Sequence, residues 1–107
     1  MSQVTGAKAK AKTSKAARAS ECHCLEQLPN IGPAAAADLR LMGITEPQQL
    51  RGQDAFGLYQ QLCELTNQRH DPCVLDTFMA AVDFMDGAAA RPWWNYTPER
   101  KLKYGAL

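Results

Sequence analysis

The chain has 107 residues and a mass of 11.8 kDa, with 46% hydrophobic residues and a formal net charge of +1. This length allows one small domain and excludes large enzyme scaffolds such as a (β/α)₈ barrel, which needs about 250 residues. The charge is unevenly divided. Residues 1–20 carry five Lys/Arg and no acid (+5), whereas residues 21–107 carry seven Lys/Arg against eleven Asp/Glu (−4). A basic segment ahead of an acidic body points to an anionic partner for the basic segment.

Residues 1–20 contain one valine and no leucine, isoleucine or aromatic residue. Such a segment has little apolar surface to offset the entropy of ordering, so we expect a disordered basic tail followed by one domain over residues 21–107. The tail either contacts a polyanion or only aids solubility. Its candidate DNA contacts are Lys8, Lys10, Lys12, Lys15 and Arg18.

The first two predicted helices flank a cluster of helix breakers, residues 29–32 (P-N-I-G). Ser20 is a plausible N-cap for a helix over about residues 21–28. A second helix begins at Pro33, which suits the first helical position, and runs to about Met42. Gly43 then supplies the residue that commonly follows a helix end.

Two further helices are indicated by capping patterns. Thr45 and Gln48 fit a capping box, with Thr45 as cap and Gln48 at the third helical position, for a short helix ending near Arg51. Asp54 caps a fourth helix over residues 55–65, whose apolar residues recur at helical spacing.

A fifth helix is predicted over residues 72–86, with Asp71 as its N-cap. Its apolar stripe consists of Val74, Leu75, Phe78, Val82 and Met85. Its aspartates are assigned to the solvated face: Asp76, Asp83 and Asp86.

Trp93 and Trp94 are expected to cover the core of a small domain, with base stacking or docking on a partner as the alternative. Thr97 and Pro98 are predicted to start a final helical turn.

No segment shows the strict alternation of a strand. The fold class is therefore all-α, with about five short helices.

The segment of interest, residues 25–39, reads L-x-x-L-P-N-I-G-P-x-x-A-x-x-L. It looks like a helix-hairpin-helix motif, in which a tight turn joins two helices and directs backbone N–H groups and a helix N-terminus at a phosphate. Contacts to the nucleic-acid backbone carry no sequence information. The candidate DNA-binding residues here are Asn30, Ile31, Gly32, Ala34 and Arg40.

A longer pattern extends this resemblance. Residues 28–33 (L-P-N-I-G-P) and 39–44 (L-R-L-M-G-I) are similar to the C-terminal domain of TfoX-type competence regulators. Together with L-Y-x-x-L-C at 58–63, H-D-P-C-V-L-D at 70–76 and the tryptophan pair, they resemble the bacterial pathogenicity-locus family. These are small helix-hairpin-helix proteins, often labelled mitomycin resistance proteins. The resemblance implies this fold and a connection to nucleic acid.

The turn departs from the common hairpin pattern at two positions. Asn30 stands where the motif usually has its first glycine, and asparagine tolerates the left-handed backbone conformation. Pro33 lacks an N–H and so removes one phosphate donor.

The cysteines and histidines suggest a second kind of site. Cys63, His70 and Cys73 surround one predicted loop and are candidate zinc ligands. Structural zinc prefers four ligands, however, and the spacing is not that of paired C-x-x-C knuckles. A buried free thiol and a polar loop explain the same residues. Nucleophilic catalysis is not expected, because no oxyanion-hole signal accompanies them.

We therefore expect a non-enzymatic DNA-binding protein that requires no cofactor. An adaptor for a protein partner, with a purely structural hairpin, is the alternative from another class, and a small metal-binding protein is the third.

No apolar run approaches the roughly 20 residues of a membrane span, and no apolar segment follows the N-terminal cations as in a secretory signal. We therefore expect a cytoplasmic location without membrane contact. In a reducing cytosol the four cysteines are thiols or metal ligands rather than disulfides.

Overall fold

The computed structural model describes residues 14–105 of the chain, and Lys8, Lys10 and Lys12 lie outside this range. Residues 14–105 contain helices and no strand, which confirms the all-α prediction. The α-helices are α1 (Pro33–Leu41), α2 (Ala55–Thr66), α3 (Pro72–Met85) and α4 (Thr97–Tyr104). One-turn 3-10 helices cover Ala19–Glu21, Leu25–Gln27, Pro47–Leu50 and Trp93–Tyr96. Within the described range, no helix has the length and apolar character needed to cross a membrane.

Helix α3 forms the centre of the molecule. It begins as the sequence predicts, with Pro72 in its first turn and the Asp71 carboxylate accepting a hydrogen bond from the Cys73 N–H at 2.9 Å. It packs against α2, α4 and the turns Pro47–Leu50 and Trp93–Tyr96. Because neighbours surround it, α3 buries more than one stripe of side chains. Nine of the eleven residues from Leu75 to Met85 are buried.

Helix α1 confirms the predicted proline-led helix that follows the turn. Pro33 occupies its first turn, and Ala36 and Leu39 face the core. Gly43, just beyond the C-cap Met42, has a φ of +85°, a conformation that glycine adopts without a side-chain clash.

The predicted first helix over residues 21–28 is wrong. In its place the chain forms two short 3-10 turns, capped by Arg18 and Cys24 rather than by Ser20. The Gln27 side chain accepts hydrogen bonds from the N–H groups of His23 and Cys24, at 2.7 and 3.1 Å. These bonds satisfy the extended backbone around Cys24, so the segment has no need of a continuous helix.

The capping box of the third helix lies one residue later than predicted. Glu46 is the N-cap and Gln49 the reciprocal residue, in place of Thr45 and Gln48. The Gln49 side chain accepts hydrogen bonds from the N–H groups of Thr45 and Glu46, both at 2.8 Å. The result is a single 3-10 turn, because Arg51 leaves the helical conformation.

Helices α2 and α4 confirm the other capping predictions and extend them. The Asp54 carboxylate accepts a hydrogen bond from the Phe56 N–H at 3.3 Å, and α2 runs one residue further than predicted, to Thr66. The final turn predicted at Thr97 is a helix of eight residues. The rings of Phe56 and Tyr104 stack 4.5 Å apart and join the two helices.

Two predictions about side-chain exposure are corrected by packing between elements. Asp76 is fully buried instead of solvated, because it hydrogen-bonds the Arg100 guanidinium at 2.8 Å and the Thr97 hydroxyl at 2.7 Å. Trp94 is 59% exposed, and the aromatic ring that fills the core beside α3 is that of Tyr96. Neither the bonds of Asp76 to α4 nor the packing of Tyr96 beside α3 has a signature in the local sequence.

Candidate nucleic-acid interface

The candidate interface is built on residues 28–33, called the Asn30 turn from here on. Asn30 has a φ of +68°, in the left-handed region that asparagine tolerates. The Ile31 N–H donates to the Leu28 carbonyl at 3.2 Å, and the Ile31 side chain is fully buried. A closed hydrogen bond and a buried anchor therefore fix the direction in which the chain enters α1.

The Asn30 side chain also fastens a distant segment to the turn. Its Nδ2 group donates to the Arg91 carbonyl at 2.8 Å, and its Oδ1 atom accepts from the Trp93 N–H at 3.2 Å. These partners lie 61 and 63 residues further along the chain. Sequence reasoning missed this contact, because no local pattern links residues so far apart.

Three predicted phosphate donors have different surroundings. The Ile31 N–H is committed to Leu28 and so is not free. The N–H groups of Gly32 and Ala34 donate to no acceptor among residues 14–105. Both stand at the start of α1, where the aligned peptide dipoles give positive potential. Two of the three predicted backbone donors are therefore available to an anion.

Two predicted DNA-binding cations, Arg40 and Arg18, are paired with carboxylates. The Arg40 guanidinium makes a bidentate contact with Glu26, at 2.9 and 3.0 Å, and this hydrogen bonding holds the pKa of Glu26 below its usual value. Arg18 lies 3.5 Å from Glu21 in an exposed pair. The structure thus brings Arg40 near the turn with its charge already compensated.

Lys15, which the sequence assigns to the tail, contacts the Asn30 turn directly. Its Nζ atom donates to the Ile31 carbonyl at 2.7 Å and to the Glu26 carbonyl at 2.9 Å. The neighbouring Ala16 is buried, and its N–H donates to the Gln27 carbonyl at 2.9 Å. The last part of the predicted tail therefore packs on the domain and holds a cation at the turn.

The candidate metal ligands are dispersed. The His70 ring contacts the Thr66 hydroxyl at 2.8 Å, and the His70 carbonyl accepts a hydrogen bond from the Tyr59 hydroxyl. Cys63 and Cys73 are half-buried free thiols. Within residues 14–105, no three Cys, His, Asp or Glu side chains are gathered in a way that could hold a metal ion.

Cys22 is a fully buried free thiol. Burial raises its pKa to about 11, and the neighbouring Cys24 acts in the same direction. Because the thiolate is the reactive form, a thiol with a raised pKa has little of that form at neutral pH.

The fold and the turn together define a small all-α protein in which an asparagine-centred turn leads into a proline-led helix. The chain belongs to the pathogenicity locus family, which it matches over residues 18–102. It is 51% identical, over 77 residues, to the mitomycin resistance protein McrB of Streptomyces lavendulae. The match covers 72% of this chain and 73% of the relative. No solved structure matches the chain.

Proposed function

We propose that this protein is a non-enzymatic, cytoplasmic helix-hairpin-helix protein, with the one-turn 3-10 helix Leu25–Gln27 in place of the first helix, and that it binds DNA without sequence specificity through phosphate contacts at the Asn30 turn. The observation that carries the proposal is that one turn holds both free hydrogen-bond donors and a cation. The donors are the N–H groups of Gly32 and Ala34, and the cation is the Lys15 ammonium. This combination of donors and positive charge suits a phosphate group.

The Lys15 ammonium has three N–H donors, and the Ile31 and Glu26 carbonyls use two of them. The third is available to a phosphate oxygen. A helix N-terminus attracts an anion but fixes it weakly when exposed to salt, so the added cation strengthens the site. In this proposal Lys15 replaces Arg40 as the principal cation, because Glu26 compensates the charge of Arg40.

The lysines of the N-terminal tail add positive charge close to the Asn30 turn. Lys8, Lys10 and Lys12 precede Lys15 by seven residues or fewer. Since a chain spans at most about 3.6 Å per residue, these lysines are tethered within about 25 Å of the turn. The tail thereby raises affinity through counterion release, which offsets the acidic character of the body.

The direct test introduces a negative charge where the phosphate would lie. Ala34 is exposed at the start of α1, and a glutamate there favours the helix through its dipole. In the full chain, Ala34→Glu is therefore expected to keep the melting temperature and to weaken binding to a blunt DNA duplex by about tenfold or more at low salt.

The matched control is Gln61→Glu, which makes the same change of charge at an exposed position on α2. It is expected to weaken binding by less than about threefold, through long-range repulsion alone. Equal losses in the two variants would show that only overall charge matters and that the turn is not the binding site.

The relative supplies a second candidate function, since it is named for mitomycin resistance and is 51% identical to this chain. We propose that any protection against mitomycin depends on the same DNA contact. Expression of the full chain in a sensitive bacterium is then expected to raise the tolerated dose, and Ala34→Glu to abolish the gain while Gln61→Glu keeps it. Protection by both variants would separate resistance from DNA binding.

A further inference from the structure

We propose that Trp94 stacks on an unpaired base, so that the protein prefers branched or single-stranded DNA over a blunt duplex. This inference rests on the proposed function, because the phosphates next to that base are held by the Asn30 turn. It adds a substrate class and a residue that selects it.

The first observation is that a large aromatic ring is left exposed beside the turn. Trp94 is 59% exposed, although a domain of this size has few aromatic residues with which to build its core. The ring of Trp93 is half-buried and meets Trp94 edge-on, with centroids 5.7 Å apart. The two rings are nearly perpendicular, and with Trp93 in contact Trp94 still exposes more than half of its surface.

The second observation is that the segment bearing Trp94 is held in place on both sides. Before it, the Asn30 side chain binds the Arg91 carbonyl and the Trp93 N–H. After it, Tyr96 is buried against α3, and Arg100 is bonded to the buried Asp76. An ordered aromatic platform loses little conformational entropy when a base stacks on it.

The third observation is the charge around the platform. The Arg91 guanidinium lies over the Tyr96 ring, 4.3 Å from its centroid, and Arg91 is exposed. Lys15 contacts the Asn30 turn through the Ile31 carbonyl. The exposed ring follows the residues bonded to the Asn30 turn, and that turn carries a cation and free N–H groups. An aromatic ring and an anion site on linked segments match a nucleotide, which offers both a base to stack and phosphates to bind.

Bases inside a blunt duplex are already stacked on their neighbours and cannot reach a ring outside the helix. Unpaired bases at forks, overhangs and single-stranded segments can be splayed out onto an aromatic side chain. Trp94 therefore contributes to binding only when the DNA offers such a base. The preference follows from DNA structure and not from sequence.

The experiment compares the full chain on a forked duplex and on a blunt duplex with the same number of phosphates. The wild-type protein is expected to bind the fork about tenfold more tightly, a typical gain from one stacked base. Trp94→Ala is expected to remove this preference and to change affinity for the blunt duplex by less than about twofold. Trp94→Tyr keeps a stacking ring and is expected to retain most of the preference.

Leu102→Ala is the control for a general loss of exposed apolar surface, because Leu102 is 91% exposed on α4. Its preference for the fork is expected to equal that of the wild type. A second readout is tryptophan fluorescence in a Trp93→Phe variant, where the fork is expected to quench Trp94 and the blunt duplex to leave it unchanged.

Equal affinity of the wild type for fork and blunt duplex would overturn the inference, as would a preference that survives Trp94→Ala. In either case the proposed function stands if Ala34→Glu still weakens duplex binding. Loss of affinity for both DNAs in Trp94→Ala would show that the ring has no selective role and would also overturn the inference. No binding of either DNA by the wild type would overturn the inference and the proposed function together.

Discussion

Asn30 performs two tasks with one residue. Its backbone turns the chain into α1 with a φ of +68°, and its side chain bonds the segment that carries the tryptophans. Glycine could perform the first task more easily, but it has no side chain for the second. The departure from the common hairpin pattern is thus explained by a contact that lies elsewhere in the chain.

These two tasks can be separated by substitution. Asn30→Ala is expected to destabilise the fold by about 2–3 kcal/mol, because it strains the left-handed backbone and deletes two hydrogen bonds. Asn30→Gly relieves the strain and is expected to cost about 1 kcal/mol, from the hydrogen bonds alone. Urea unfolding at neutral pH measures both values. Equal costs for the two variants would contradict the division of roles.

Glu26 restrains a cation next to the turn. Glu26→Gln removes one acid and releases Arg40, so it is expected to strengthen DNA binding about threefold to tenfold at low salt and to steepen the salt dependence by about 0.9 in log–log slope. The cost to stability is expected to stay below about 1 kcal/mol, because the pair is partly exposed.

The control for that variant is Glu64→Gln, which makes the same change of charge at an exposed position on α2. It is expected to leave the salt slope unchanged. If both variants bind DNA alike, or if Glu26→Gln binds more weakly than the wild type, Arg40 has no access to the phosphates and does not contribute to binding at the turn.

At the scale of elements, capping residues predicted helices well where the signal was local. Asp54, Asp71 and Pro33 mark the starts of α2, α3 and α1, because each satisfies or removes backbone N–H groups in the first helical turn. Ser20 carried the same signal and misled, since Gln27 bonds the backbone around Cys24 instead. Cap identity alone cannot decide between competing local hydrogen bonds.

The pair of Asp76 and Arg100 joins two elements and could not be predicted. Asp76 lies among apolar residues of α3, and its partner on α4 follows 24 residues later. The hydrogen bonds to Asp76 raise the pKa of Arg100, so the guanidinium stays charged inside the fold. The pair docks α4 on α3 and thereby fixes the end of the segment that holds Trp94.

Breaking this pair is expected to be costly. Asp76→Ala leaves the Arg100 guanidinium buried and unpaired and is expected to destabilise the protein by about 3–5 kcal/mol, a large share of the stability of a small domain. The double variant Asp76→Leu, Arg100→Met removes both charges and is expected to recover most of this loss. Thermal and urea unfolding test the two cases. A loss below about 1 kcal/mol in the single variant would show that Arg100 finds solvent when its partner is removed.

At the scale of the whole molecule, the division of charge takes on a structural meaning. The basic segment and the acidic body meet at Lys15, whose ammonium sits on the carbonyls of the Asn30 turn. The sequence predicted the all-α class and the helix-forming parts of the core, because apolar periodicity and capping report them directly. It could not predict which distant segments meet at the turn, since Asn30, Trp93 and Lys15 are brought together only by the complete fold.

The central claim is that the domain itself binds DNA and that the tail strengthens this binding. The measurement that tests it most directly is the affinity for a blunt duplex between about 50 and 200 mM salt, for the full chain and for a variant lacking residues 1–13. The cut spares Lys15 and Ala16, which pack on the domain.

The shortened chain is expected still to bind at low salt, and Ala34→Glu is expected to abolish this binding. The log–log slope of affinity against salt for the shortened chain is expected to be shallower than that of the full chain by about 2–3, because three lysines are removed. Tight binding by the full chain, with none by the shortened chain even at low salt, would contradict the claim and leave the tail as the sole DNA contact.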